Sequence, residues 1–384
     1  MYYFDNAAST RPYDETAEYL KREMLEHFGN PSALHAFGSA ANEAVEYGKK
    51  ELLKLYGFKN HDVIFTSGAT EAANMAVIGT VTRAADLGNT HIVTTVIEHP
   101  CVSQAAEYIE SRGGKVTYLP VDADGLIDLD ELGNAITGKT KLVSIIWVNN
   151  ENGVIQDIDS IVRIVKEANP SVLVHLDATQ GFGKISGRID KADMVTLSAH
   201  KFHGPKGIGA LIYRRGIMLE PITFGGGQQG GFRSGTVNSP MIGALGKTCE
   251  LTDIKSIEAK LKALRKHLVE KLTDAFGIGC INENLERDIY SPHIVSVSFP
   301  GVKGEVLVHM LEADEIYVST SSACSSHKKT KTVLDALGLD KNRIEGTLRI
   351  SMSDFNTNEE VDYLVEKLKA AVKKLYSLKG NGGK

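Results

Sequence analysis

The chain reads as an α/β protein: a large domain on a mostly parallel seven-stranded sheet, followed by a smaller α+β domain. Three observations carry this. Seven short β-rich runs alternate with amphipathic helical stretches between about residues 62 and 213. Small and polar residues gather where those runs end. Beyond about residue 256 the pattern changes to a long charged helix, then to strands and helices that suggest a meandering sheet.

In chain order the runs are "DVIF", "HIVTTVI", "KVTYLP", "KLVSIIWV", "VLVHLD", "MVTLS" and "GALIYR". Such apolar runs between helices suit strands covered on both faces, and ligands of such folds bind beyond the carboxyl ends of the strands. The segments leaving those ends are "TSGATE" (66–71), "EHP" (98–100), "NNENG" (149–153), "DATQ" (177–180) and "SAHK" (198–201). The chain divides into an N-terminal segment packing with the small domain (1–15), a large domain (16–255) and a small domain (256–376). The small domain contains "HIVSVSF", a helix near 303–312, "IYVST", a cysteine-bearing loop at 319–331, "TLRISM" and a last helix over about 357–376. "GGGQQGGFRSGT" (225–236) is expected to be a mobile loop and 377–384 a disordered tail.

Composition narrows the function classes. The 384 residues are 42% hydrophobic, enough for two cores, and the net charge is −5. Without a dense basic stripe, direct nucleic-acid recognition is not expected. No apolar run approaches the ~20 residues of a membrane span, and "MYYFDNAAST" lacks a signal-peptide core, so a cytoplasmic location is expected. Cys101, Cys249, Cys280 and Cys324 are scattered, with no spacing that builds a zinc site, so neither disulfides nor a metal are expected. Only Cys324 has an unusual neighbourhood.

In "TLSAHKFHGPKGIGAL" (196–211) one lysine stands between two histidines at the end of an apolar run, a setting no surface charge needs. Pyridoxal phosphate requires an imine-forming lysine, an anion for its pyridinium nitrogen, donors for its phosphate and a group that holds the ring flat. The strand ends can supply each. Lys201 ends a strand where partial burial favours the neutral amine that makes an imine. Asp177 ends the preceding strand and can keep the pyridinium protonated. "SGATEAANM" opens a helix after a strand, so Gly68, Ala69 and Thr70 can aim amides and a hydroxyl at a phosphate near the helix dipole's positive end. Ser198 and His200 can add two donors. A Gly/Ser/Thr loop alone is more often an ordinary helix cap; the weight lies on the ordered set at successive strand ends.

With "YFDNAAST", "GNPSALHAFG", "TSGATEAAN", "EHP", "VNNENGVIQD", "HLDATQ", "SAHKFHGPKGIG", "FRSGT", "SSACSS" and "LRISM" in this order, the chain resembles the cysteine desulfurases over nearly its whole length. These are class V, fold-type-I pyridoxal-phosphate enzymes. The resemblance implies that Lys201 forms the imine, His99 stacks on the ring, Asp177 pairs with the ring nitrogen and Gln180 contacts the phenolic oxygen. Thr70, Ser198 and His200 hold the phosphate, and Thr236 reaches the phosphate of the neighbouring subunit, which implies a homodimer.

Pyridoxal phosphate alone would suit a transaminase, a lyase or a decarboxylase. "STSSACSSHKKTK" (319–331) argues for sulfur chemistry, because a cysteine among small hydroxyl residues is poorly buried by its neighbours. Nearby Lys328, Lys329 and Lys331 favour the thiolate. Packing under a Ser-rich turn is the alternative for Cys324; the family register favours the nucleophile, on a long mobile loop. The implied reaction converts L-cysteine to L-alanine. Lys201 moves the α-proton, His99 is a candidate proton donor or acceptor, and Cys324 takes the sulfur as a persulfide. Arg349 clamps the substrate carboxylate, helped by Asn150.

Two departures from the family pattern stand out. Ser321 replaces a glycine that would ease loop motion, and Ser353-Asp354 stand where a Gly-Arg pair is common. A selenocysteine lyase or a class V aminotransferase on the same scaffold is the alternative. The expected partner is a protein sulfur acceptor, either an iron–sulfur scaffold or a tRNA-thiolation enzyme.

Overall fold

The computed structural model describes residues 1–82, 87–321 and 332–380. In chain order its strands are β1 (Tyr2–Tyr3), β2 (His61–Thr66), β3 (His91–Thr95), β4 (Lys115–Leu119), β5 (Thr140–Ile146) and β6 (Leu173–Asp177). They continue with β7 (Met194–Ser198), β8 (Gly209–Arg214), β9 (Ile294–Ser298), β10 (Ile316–Tyr317), β11 (Ser319–Thr320) and β12 (Thr347–Ser351).

The seven predicted runs form one sheet in the order β2-β8-β7-β6-β5-β3-β4. Its pairs are parallel except those made by β8, which runs antiparallel to both β2 and β7. The direction of β8 follows from its connection. The stretch 199–208 is shorter than a parallel crossover through a covering helix needs, so the chain turns straight back. Lys201 lies in that return, in the short 3₁₀ turn Ala199–Lys201.

Alternation along the strands divides the core in two. Val143, Ile145, Val174, Leu176, Val195 and Leu197 belong to the cluster on one face. Ile92, Leu142, Met194 and Leu211 belong to the other, with the helix Ala69–Thr82 packed over them. Both faces are covered, so the polar residues within the strands, such as Ser144, His175 and Thr196, bond to one another, and polar groups open to a ligand are left to the strand ends.

A second core belongs to the antiparallel sheet β11-β12-β9. Leu261, Leu264, Leu268 and Leu272, at three- and four-residue spacing on the helix Ile254–Phe276, pack there with Val295, Val297, Leu348 and Ile350. The N-terminal segment joins this unit: β1 pairs with β10, and Phe4 enters the same cluster. In the β11–β12 register Ser319 stands opposite Arg349, so the segment carrying Cys324 leaves from beside that arginine.

Two details differ from expectation. The last helix is Asn358–Gly380 and takes in the first residues of the expected tail, because "SLK" contains no breaker before Gly380. The glycine-rich segment 225–236 is held: Gln229 exchanges hydrogen bonds with the Phe65 backbone (2.7 and 2.9 Å), and Arg233 pairs with Glu71 (2.8 Å). Among the described residues no helix is long and apolar enough to cross a membrane. Cys101, Cys249 and Cys280 are free and buried; Cys324 lies outside the described residues.

Candidate active site

The carboxyl ends of β2, β3, β5, β6 and β7 and the N-terminal segment converge on Lys201. Its Nζ donates to the carbonyls of Ala7 (2.7 Å) and Ala8 (2.9 Å). The segment is fixed in turn by Ala7 N–H to Ser351 Oγ (2.9 Å) and by Thr10 N–H to the His200 carbonyl (2.8 Å). It crosses the lysine like a strap between the two cores.

Asp177, the last residue of β6, is 2% exposed. Its Oδ1 accepts from the backbone N–H (3.0 Å) and the hydroxyl of Thr179, and its Oδ2 lies 3.9 Å from Cys101 Sγ. Two residues earlier on the strand, His175 bridges Ser144 Oγ (2.8 Å) and Thr196 Oγ1 (2.7 Å) across three strands. Burial holds His175 down to about 4, so it is a neutral strut.

His99 caps the helix Pro100–Ser111, its Nδ1 accepting the Cys101 N–H (3.2 Å). Burial lowers its pKa; the Asp177 carboxylate opposes the shift and the Lys201 charge adds to it, so the imidazole senses both groups. Burial also pushes the Cys101 thiol up, reinforced by Asp177 and Glu98, and keeps it protonated. Glu98 is itself raised to about 8 by burial, against hydrogen bonds from Ile146 N–H (2.8 Å) and Thr95 Oγ1 (2.8 Å).

Ser198 ends β7 and is buried, and His200 follows it with Nδ1 3.3 Å from Ser9 Oγ. Burial and then Lys201 bring His200 down to about 4. Opposite them, Gly68 precedes the helix Ala69–Thr82. A Cβ placed on Gly68 would meet only Ser198 Oγ within 4 Å, at 3.6 Å, so there is room above its backbone. The first N–H groups of that helix, at Ala69 and Thr70, are the donors every helix start leaves over. Gly209 makes the approach possible: a Cβ there would stand 2.6 Å from Gly68 Cα.

Gln180 donates from Nε2 to the Ala7 carbonyl (2.9 Å) and accepts at Oε1 from Lys184 Nζ (3.3 Å). Lys184 Nζ also lies 3.2 Å from His293 Nε2, and His293 Nδ1 lies 2.5 Å from Ser291 Oγ. Burial drives the pKa of both Lys184 and His293 well down.

Arg349, on β12, is already engaged. Its Nη1 donates to the Asn150 carbonyl (2.9 Å) and its Nη2 to Asp5 Oδ1 (3.1 Å), with Glu151 Oε1 3.8 Å from Nη1. Asn150 therefore meets the arginine through its backbone; its side chain donates to Glu151 Oε1 (2.8 Å). Thr236 is exposed and takes part in none of these contacts. Asp354, one of the two departures, pairs with His203 Nε2 (2.9 Å).

Sequence reasoning missed Asp5, Glu98, Cys101, Glu151, Lys184 and His293. Asp5, Glu98 and Glu151 sit inside the quoted motifs "YFDNAAST", "EHP" and "NNENG", and a count of carboxylates at the strand ends would have found them. Lys184 and His293 carry no local signal.

The family model of class V aminotransferases matches residues 2–364. "Cysteine desulfurase IscS 1" of Archaeoglobus fulgidus is 39% identical, over 98% of both chains. "Cysteine desulfurase IscS" of Methanosarcina thermophila is 38% identical, over 98% of this chain and 93% of that protein. Among solved structures, a "NifS-like protein" superposes with TM-score 0.89 at 37% identity, over 97% of this chain and 99% of that one. "SspA in complex with cysteine" superposes with TM-score 0.80 at 32% identity, over 93% and 100%. Likeness of this extent, in sequence and in fold, places the chain in the class V aminotransferase family, among its cysteine desulfurases.

Proposed function

We propose that the protein is a pyridoxal-phosphate-dependent cysteine desulfurase that converts L-cysteine to L-alanine and takes the sulfur onto Cys324. The observation that carries the cofactor is that the His99 imidazole senses both the Lys201 amine and the buried Asp177 carboxylate, so that one ring has the two groups as neighbours, with open backbone at Gly68 before the next helix. The residues fit pyridoxal phosphate. Lys201 Nζ would hold it covalently, Asp177 would face its ring nitrogen, His99 would lie on its ring and Gln180 would reach its phenolic oxygen. Gly68, Ala69, Thr70, Ser198 and His200 would surround its phosphate. When bound, the group supplies an electron sink that acidifies the substrate's α-carbon and weakens its bond to sulfur.

The chain's own residues do the rest. Lys201 Nζ, once released, is the base that moves the α-proton. Burial favours the neutral form of His99, and its Nδ1 accepts the Cys101 N–H, which puts the ring proton on Nε2, where it can be given. Arg349 receives the substrate carboxylate. The Cys324 thiolate attacks the substrate sulfur: an S–S bond forms, the C–S bond breaks, and the electron pair stays with carbon, which takes one proton to become a methyl group. Thiol and cysteine in, persulfide and alanine out, balance without an external reductant.

The same reading gives a cytoplasmic homodimer in which Thr236 serves the neighbouring subunit's phosphate. The acceptor is a protein of iron–sulfur cluster assembly or tRNA thiolation. The test is product analysis on protein loaded with pyridoxal phosphate, given L-cysteine and a reductant. Alanine and sulfide in equal amounts support the reading; an oxo acid, or turnover of selenocysteine but not cysteine, overturns it.

A further inference from the structure

Glu151 sits in the turn after β5 that Asn149 builds, its Oδ1 accepting the N–H groups of Glu151 (2.8 Å) and Asn152 (3.2 Å). The carboxyl is pressed between the two units of the chain. Oε1 accepts from Asn150 Nδ2 and faces Arg349, while Oε2 is buried without a well-formed hydrogen bond among the described residues; the Ser321 hydroxyl, also buried without one, is the donor close to this carboxyl. Arg349 Nε is in the same condition. Three buried polar atoms without a well-formed bond, Glu151 Oε2, Ser321 Oγ and Arg349 Nε, around one arginine–glutamate contact are costly unless a further group completes them.

The charges around this pair explain what that group demands. From β12 comes the Arg349 guanidinium, from the N-terminal segment Asp5, from the end of β11 the Ser321 hydroxyl, and from the turn itself Asn150. Asp5 in turn lies in the field of Lys201 and raises the Tyr3 hydroxyl. One guanidinium thus already faces two carboxyl groups. Burial is the first cause that raises Glu151, to about 7, with Arg349 opposing and Asp5 adding to the rise. A third carboxylate arriving at Arg349 brings a like charge beside Glu151, and neighbouring carboxylates do not all stay ionised.

We infer that Glu151 is a substrate-binding residue that acts as the acid: it donates a hydrogen bond from Oε2 to the substrate carboxylate beside Arg349. Docking therefore takes up one proton whenever Glu151 is ionised in the free protein. This rests on the reading that Arg349 receives the substrate's carboxylate. Above the Glu151 pKa the affinity for an amino-acid carboxylate falls by about tenfold per pH unit, since the proton must first be supplied. The Asn150–Glu151 hydrogen bond and the Asp5–Arg349 pair are the fixed parts of the device, and the proton is the movable one.

The test is calorimetric titration of L-alanine into loaded protein, in buffers of differing ionisation enthalpy at pH 8, on wild type and Glu151→Gln. The expected result is that wild type takes up close to one proton more than Glu151→Gln, and loses about tenfold more affinity between pH 7.5 and 8.5. Equal proton counts overturn the inference while leaving the substrate site standing. Failure of wild type to bind alanine overturns both. Should Glu151→Gln not fold, Asp5→Asn decides the same question. It keeps Glu151 but removes a carboxylate that pushes it up, so the midpoint of the wild-type pH dependence must move to lower pH; an unmoved midpoint contradicts the inference.

Discussion

Gln180 and Lys201 meet at one oxygen: the Ala7 carbonyl accepts from Gln180 Nε2 at 2.9 Å and from Lys201 Nζ at 2.7 Å. The residue that anchors the site and one that flanks it are thus set by the backbone of the N-terminal strap. Behind Gln180, Lys184 and His293 fix its amide, because a donor at Oε1 leaves Nε2 for Ala7.

Lys184→Met should loosen that amide without emptying the site. The lost hydrogen bonds, at ~1 kcal/mol, predict a fall in kcat/KM of about five- to tenfold with cofactor still bound. Stability should respond in the other direction with pH. The folded-state pKa of Lys184 is lowered, so the unfolded chain binds the extra proton, and stability falls as pH falls from the ordinary lysine range toward the folded value. Thermal melts at pH 6 to 9 should therefore be flatter for Lys184→Met than for wild type.

Glu98 predicts the opposite slope. Its folded value of about 8 lies above that of an unfolded glutamate, so the folded state holds the proton. Its contribution is complete below the ordinary carboxylate range and is lost as pH rises through 8. Glu98→Gln, which keeps an acceptor for Ile146 N–H and Thr95, should remove that alkaline loss in melts between pH 5 and 9.

Arg349→Lys separates binding from chemistry. A lysine cannot present a fork to a carboxylate, and charged hydrogen bonds are worth ~1.5–3 kcal/mol. KM for L-cysteine should rise by about 10- to 100-fold with kcat changed little. A fall in kcat at constant KM would move Arg349 out of substrate binding.

Gly209→Ala puts a methyl group 2.6 Å from Gly68 Cα and from the Leu197 carbonyl. Neither is a flexible tip, so the loop before the helix Ala69–Thr82 must move. Overpacking of this kind costs about 1–3 kcal/mol. A lower Tm together with a weaker Kd for pyridoxal phosphate is expected, the second because the proposed phosphate donors start at Gly68.

The sheet was legible because its strands are apolar runs whose punctuation is local. Asp177, Ser198 and Lys201 could be placed at the carboxyl ends from that punctuation alone. What escaped is what tertiary structure assembles. The Ala7 and Ala8 carbonyls are backbone atoms without a residue signature, and Lys184 meets His293 only after the two units pack. Glu151 was in view inside "NNENG", but its burial against Arg349 was not, and burial is what makes a carboxyl an acid near neutral pH. The antiparallel run of β8 depended on the length of one connection rather than on any strand's composition.

The central claim is that Cys324 takes sulfur from cysteine. Loaded protein given a limiting amount of L-cysteine without reductant should yield alanine and, by mass spectrometry, a gain of one sulfur atom on the peptide carrying Cys324. Cys324→Ala should keep the yellow colour of the loaded protein and lose both products. Equal alanine release from both proteins, with no sulfur on that peptide, would contradict the account.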